Sequence, residues 1–189
     1  RGPARNGTLN ATARVVGPTV GEDSIKDGVR SGAIGFILVV LFIIIYYRAS
    51  GLVAVIALGL NLVLLVAIMA YLRSTLTLPG MAGIILSLAM AVDANVLIFE
   101  RIREELRLGK PVKTALSVGY DRAFSAILDS HVTSLISSVF LFQFGTGPIK
   151  GFAVTLTIGL ILSLFTAIVI TRMIFDYYLE NNEVEELSI

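Results

Sequence analysis

A single aspartate interrupts one of the long apolar stretches of this sequence. Residues 87–106, SLAMAVDANVLIFERIREEL, begin like a membrane-spanning helix and end in charged residues, with Asp93 inside the apolar part. An ionised carboxylate at mid-span costs about 2.5–3.5 kcal/mol on insertion scales, so such residues are candidates for function. No Lys or Arg is predicted at the same depth. Asp93 is therefore expected to be protonated at rest or paired with a charge from another chain, and such a group can carry a proton. The alternative is a structural hydrogen bond to a neighbouring helix.

Hydroxyl and amide side chains in the other apolar blocks offer further candidates. Ser163 and Thr166 are candidates to line a proton path with Asp93. Ser163 belongs to a ridge of small residues spaced four apart, and Thr166 lies beside it; such a ridge favours close helix packing as the alternative. The ridge comprises Gly151, Thr155, Gly159, Ser163, Ala167 and Thr171. Asn61 and Asn95 are predicted to hold helices together, as is Gly159 within the ridge.

The only histidine, His131, lies close to Asp129 at the predicted cytoplasmic end of the fourth apolar block. Interfacial polar residues are the favoured interpretation of this pair, and a cytoplasmic exit route for protons is the alternative. The pair is too small for a metal site, and the chain has no cysteine. An intramembrane aspartyl protease is excluded because Asp129 is interfacial and no GxGD motif is present. We therefore predict no enzyme activity, no metal and no cofactor.

The composition predicts a membrane protein. Hydrophobic residues make up 56% of the chain, against about 45–50% in soluble domains, and the mean hydropathy is +0.86. The net charge of +1 implies no strong attraction to nucleic acid. Long, uniformly apolar blocks favour membrane-spanning helices over barrel strands. Five such blocks lie at 31–47, 52–72, 76–99, 130–144 and 151–175.

These blocks extend into five predicted helices, which form a transmembrane domain over residues 19–179. The third and fourth helices run into a helical cytoplasmic loop at 100–128, in which Gly109 ends one helix and Pro111 begins the next. The predicted bounds are about 20–47, 52–72, 76–108, 111–145 and 151–179.

The two ends of the chain are predicted to differ in kind. Residues 8–16 alternate apolar and polar side chains, as in a half-buried strand, and a lone strand needs partners from elsewhere. Residues 1–18 are therefore expected to be the end of a further domain, and residues 180–189 an acidic, solvated tail.

The distribution of basic residues predicts the orientation. Five crossings place Arg48, the loop at 100–128 and Arg172 on one side of the membrane, and that side is richer in Lys and Arg. By the positive-inside bias this side is the cytoplasm. The N-terminal piece is then outside and the C-terminal tail is cytoplasmic.

Several long motifs, in order, resemble the C-terminal membrane region of the SecD branch of the SecD/SecF protein-export family, which belongs to the RND superfamily. They cover nearly the whole chain after residue 15: GPTVGEDSIKDG (17–28), VDANVLIFERIREEL (92–106), AFSAILDSHVTSLI (123–136) and FGTGPIKGFAVTLTIGLILSLFTAI (144–168). The resemblance implies an all-α membrane protein with five transmembrane helices of an RND-type six-helix half. The last strand of a truncated periplasmic α+β domain precedes them.

The resemblance also implies a function. It indicates an accessory subunit of the Sec protein translocase in the bacterial cytoplasmic (inner) membrane, which with SecF uses the proton gradient to promote polypeptide export. Asp93 matches the family's intramembrane aspartate, and SecF, separate or fused, supplies charged partners. Further implied partners are the SecY–SecE–SecG channel, YajC, the translocating polypeptide and membrane lipids.

Two alternatives and one departure from the family pattern stay open. The same proton relay would serve an RND-type exporter of small molecules or lipids, whereas an assembly scaffold without proton coupling would tolerate Asp93→Asn. The coupling ion is H⁺ or Na⁺. The family usually has Asn at the position of His131. A titratable ring there either alters the pH response or exchanges one hydrogen bond for another.

Overall fold

The described part of the chain is entirely helical. The structure, a computed structural model, describes residues 18–73, 77–181 and 189, with side chains from residue 25 onward. Its helices are α1 (Pro18–Tyr71), α2 (Leu78–Arg107), α3 (Val112–Phe144), α4 (Pro148–Phe165) and α5 (Thr171–Asn181), with a π-helical segment, Thr166–Ile170, between the last two. The predicted strand at 8–16 lies outside the described residues, as does most of the predicted tail.

Within the described residues, four helical stretches are long and apolar enough to cross a membrane: Ile25–Tyr71, Leu78–Arg107, Val112–Phe144 and Pro148–Asn181. Many large apolar side chains lie on the outer surface of the bundle. Ile45, for example, is 76% exposed and Phe144 is 75% exposed. A surface of this kind suits contact with lipid rather than water. The chain is a multi-pass membrane protein.

The first of these stretches is interrupted at Arg48. Its 47 residues would extend about 70 Å as a straight helix, more than twice the hydrocarbon core of about 30 Å. Arg48 has φ 48° and ψ −116°, outside the helical region. The chain doubles back here, since a Cβ added to Gly51 would lie 2.5 Å from the carbonyl oxygen of Ile43. Two separate helices were predicted at 20–47 and 52–72, and the structure has one element with this break.

Helix α2 lies at the centre of the bundle and packs against α1, α3 and α4. Thr77 caps its N-terminus by accepting a hydrogen bond from the backbone N–H of Gly80 at 3.1 Å. The predicted ridge of small residues on α4 faces α2. A Cβ added to Gly159 would lie 2.3 Å from both Cβ and Oγ of Ser87. Only glycine fits there, so the two backbones approach closely.

The α2–α3 turn is held by a buried carboxylate. Helix α2 ends at Arg107, and Gly109 follows in the left-handed conformation with φ 78°, as the sequence predicts. The Glu105 side chain is 0% exposed. It forms ion pairs with Lys110, within the turn, and with Arg122 Nη1 on α3 at 2.6 Å. These contacts fasten α3 to the end of α2 and so set the register of the helices that carry the site.

Candidate functional site

Asp93 lies on the outer face of α2. Its neighbours Ala91 and Ala94 are 1% and 2% exposed and point into the bundle, whereas the Asp93 side chain is exposed at the bundle surface. The apolar run around it makes that surface a lipid-facing or partner-facing one. An ionised carboxylate that faces lipid is not solvated by water, so its charge is costly there unless a partner covers the face.

His131 is buried between helices. Its ring is 2% exposed, with Nδ1 2.9 Å from the carbonyl oxygen of Ile127 and Nε2 2.9 Å from Ser163 Oγ on α4. The Asp93 carboxylate lies near enough to act electrostatically on the ring. His131 therefore lies inside the helix bundle, whereas its position at the cytoplasmic end of a membrane span stays a prediction.

Thr166 begins the π-helical segment and contacts α1. Asn61 Nδ2 donates a hydrogen bond to Thr166 Oγ1 at 3.3 Å, and both side chains are buried. Thr166 Oγ1 in turn donates to the carbonyl oxygen of Ser163 at 3.3 Å. π-Helical insertions within α-helices occur frequently at functional sites. The segment TAIVI contains neither Gly nor Pro.

The remaining candidates divide between packing and surface. Gly159 packs against Ser87, as described above. Asn95 is 2% exposed, on the face of α2 away from Asp93, and its Oδ1 has no hydrogen-bond partner among the described residues. Asp129 lies on the exposed face of α3, and its backbone carbonyl accepts a hydrogen bond from Thr133 Oγ1.

The structure thus brings some predicted residues together and leaves others apart. Ser163 contacts His131, whereas Thr166 contacts Asn61. No direct hydrogen bond joins Asp93 to Ser163 or Thr166 within the described residues. Within the same residues, no group of three or more His, Asp or Glu side chains is placed to hold a metal ion. Carboxylate, imidazole and hydroxyl side chains are groups that can donate or accept protons.

The His131–Ser163 contact was missed from the sequence, although a signal for the burial of His131 exists. The buried positions of α3 recur at helical spacing and include His131, so the ring lies on the inward stripe. That stripe comprises Ala123, Ile127, His131 and Ser138. Which residue of another helix meets the ring is not encoded in this pattern.

Comparisons with known proteins agree with this architecture. The family model described as "Protein export membrane protein SecD/SecF, C-terminal" matches residues 4–181. The protein translocase subunit SecD of Endomicrobium trichonymphae is 58% identical over 176 residues, 93% of this chain and 37% of that protein. The SecD subunit of Desulfurispirillum indicum is 56% identical over 190 residues, 98% of this chain and 37% of that protein. The chain therefore spans well under half the length of these curated relatives.

Solved structures show the same similarity. The crystal structure of SecDF from Thermus thermophilus, described as a translocon-associated membrane protein, superposes with a TM-score of 0.85 at 41% identity. It covers 89% of this chain and 24% of that one. SecDF in a super-membrane-facing form gives a TM-score of 0.82 at 41% identity, covering 89% and 23%.

Proposed function

Because the chain belongs to the SecD/SecF family of protein-export membrane proteins, we propose that it is the C-terminal membrane part of a SecD-type subunit that couples the proton gradient to polypeptide export. One observation carries this proposal: Asp93 is exposed on an apolar helix face of the isolated bundle. Its relatives are protein translocase subunits, so the role is transport rather than covalent catalysis.

The exposed position of Asp93 requires a partner. An ionised carboxylate facing lipid at this depth costs about 2.5–3.5 kcal/mol, and the described chain places no Lys or Arg ion pair on Asp93. A SecF partner, separate or fused, that covers this face and supplies charged groups removes that cost. The similarity to SecDF supports this partnership.

The proposed topology has five crossings. Helix α1 crosses twice, with the break at Arg48 between the crossings, so the chain is five helices of an RND-type six-helix half. Residues 1–18 end a periplasmic α+β domain that includes the strand at 8–16, and the tail at 180–189 is cytoplasmic. The membrane is the bacterial inner membrane, and the excess of Lys and Arg around the α2–α3 turn supports this orientation.

Proton passage supplies the energy in this proposal. One charge crossing 100 mV is worth about 2.3 kcal/mol, comparable with the cost of burying the Asp93 carboxylate. Protonation neutralises Asp93 and loosens its attraction to the partner. The hydroxyls of Ser163 and Thr166 then lie on the route between the Asp93 region and the π-helical segment. The resulting helix movements act on the periplasmic domain, which holds the polypeptide delivered by the SecY–SecE–SecG channel. YajC and membrane lipids are further partners.

The test is protein export with Asp93→Asn, in membranes with and without a proton gradient. Asn preserves the shape of the side chain and cannot ionise, so we expect normal assembly and loss of the gradient-dependent part of export. Asp121→Asn is the matched control, since it removes an exposed carboxylate from α3 that lies in no proposed proton route, and export should then keep its gradient dependence. Unchanged gradient dependence in Asp93→Asn would refute the proposal and favour an assembly scaffold.

A further inference from the structure

The surroundings of the buried His131 ring decide that Nδ1 carries a hydrogen. Nδ1 lies 2.9 Å from the backbone carbonyl oxygen of Ile127, and a carbonyl can only accept. Ser130 Oγ, at 3.4 Å from Nδ1, is more distant. The neutral ring is therefore the Nδ1–H tautomer, and its Nε2 is left as the acceptor that faces α4.

Ser163 completes the site by offering two positions for one hydrogen. Its Oγ lies 2.9 Å from His131 Nε2 and 2.9 Å from the carbonyl oxygen of Leu160. When the ring is neutral, the hydroxyl donates to Nε2. When the ring is protonated, Nε2–H donates to Oγ, and the hydroxyl turns to donate to Leu160.

Both charge states of His131 are thus fully hydrogen-bonded without any movement of heavy atoms. An unsatisfied buried polar atom costs about 1–3 kcal/mol, and this arrangement avoids that cost for either state. An ordinary structural histidine needs partners for only one state. The rotation of a single O–H bond is the only change that proton binding requires here.

The charge of the protonated ring also has a counterpart. Among the described residues, Asp93 on α2 is the charged side chain that acts on the ring. From α4 the ring faces the Ser163 hydroxyl, and on its own helix Asp129 is exposed two positions earlier. Burial disfavours a positive charge on the ring, and the negative charge of an ionised Asp93 offsets part of that cost, whereas a protonated Asp93 does not.

We propose that His131 is a second proton-binding group of the Asp93 site, which takes up a proton at Nε2 when Asp93 is ionised and releases it when Asp93 is neutralised. Uptake adds one proton to Nε2 and breaks no bond between heavy atoms. This inference rests on the proposed function, because it assigns a second titrating group to the same relay. It makes the pH range of the relay depend on His131.

The test follows the ring directly by NMR with ¹⁵N-labelled histidine, from about pH 4.5 to 8.5, in the full-length protein in lipid vesicles. This sequence has one histidine, and the spectrum of His131→Asn identifies its signals if the longer protein has others. We expect Nε2 to change from acceptor to protonated within this range. We expect Asp93→Asn to lower the midpoint, and Asp121→Asn, which removes an exposed carboxylate elsewhere on α3, to leave it unchanged.

Two results would overturn the inference: a ring that stays in the Nδ1–H form throughout, or a midpoint that Asp93→Asn does not move. If Asp93→Asn fails to fold, the titration of the unmodified protein still decides whether the ring binds a proton. The pH profile of gradient-dependent export is the second readout. His131→Asn keeps a hydrogen-bonding side chain, so a purely structural role predicts an unchanged profile, whereas our proposal predicts a shifted one.

The inference and the proposed function fail in distinguishable ways. If the ring titrates in a way that depends on Asp93 but export does not depend on the gradient, the inference about His131 stands and the proposed role in export is rejected. Export that loses gradient dependence in Asp93→Asn, with a ring that never titrates, would retain the proposed function and reject His131 as a proton-binding group.

Discussion

The contact between α2 and α4 at Gly159 allows a quantitative test of the packing that positions the site. In Gly159→Ala, the new methyl carbon would lie 2.3 Å from Cβ and Oγ of Ser87. An ordinary carbon–carbon contact is about 3.5–4.0 Å, so the helices must separate by roughly 1.2–1.7 Å. Overpacking of this kind costs about 1–3 kcal/mol, against a gain of about 1 kcal/mol in helix propensity.

Gly59→Ala is the matched control, because Gly59 is also helical and an added Cβ there meets no atom within 4 Å. It keeps the propensity gain and avoids the clash. The two variants should differ by about 2 kcal/mol, equivalent to about 4–8 °C in melting temperature at this chain length. The assay is thermal unfolding of each variant in the same detergent or lipid.

Ser87→Gly supplies the second half of the test. It removes the two nearest atoms, Cβ and Oγ of Ser87, and leaves Leu65 Cδ1, at the end of a flexible side chain, 3.0 Å from the new methyl group. The double variant Ser87→Gly/Gly159→Ala should therefore be more stable than the sum of the single effects predicts. A Gly159→Ala protein that melts as high as Gly59→Ala would refute the close approach. Strict additivity in the double variant would show that any loss at Gly159 has another cause.

Three further predictions concern other contacts, each measured by thermal unfolding at pH 7. Glu105→Gln should lower the melting temperature, because two cations at the α2–α3 turn lose their buried counter-charge; Glu104→Gln, in an exposed pair, should change it little. Thr166→Val should cost about 0.6–1.7 kcal/mol by removing the hydrogen bond from Asn61, and equal stability would contradict that contact. Gly109→Ala should cost about 1–2 kcal/mol, because φ 78° disfavours a Cβ.

A matched control sharpens the Thr166 prediction. Thr133 is an exposed threonine whose hydroxyl bonds only to the backbone of its own helix, at Asp129. Thr133→Val should therefore leave stability almost unchanged. A similar loss in both variants would mean that the threonine hydroxyls contribute through their own helices rather than across the bundle.

Local features of the helices could be predicted because they depend on neighbouring residues. Long apolar blocks identify membrane-spanning helices, since a helix satisfies its own backbone groups in lipid. Gly109 ends α2 because the left-handed backbone conformation there disfavours a residue with a Cβ, and this preference depends only on the local backbone. The ridge through Gly159 predicts close packing because small side chains spaced four apart lie on one helix face. It does not predict which helix packs against that face.

Contacts between distant segments could not be predicted in this way. The sequence by itself determined that Asp93 lies in an apolar span and that Ser163 belongs to a ridge of small residues. Only the tertiary structure decided that Ser163 is the partner of the buried His131 ring. Helical periodicity specifies which side chains share a face, whereas the rotation and register of two packed helices depend on all their contacts together. The proton-binding arrangement at His131 is therefore a property of the packed bundle.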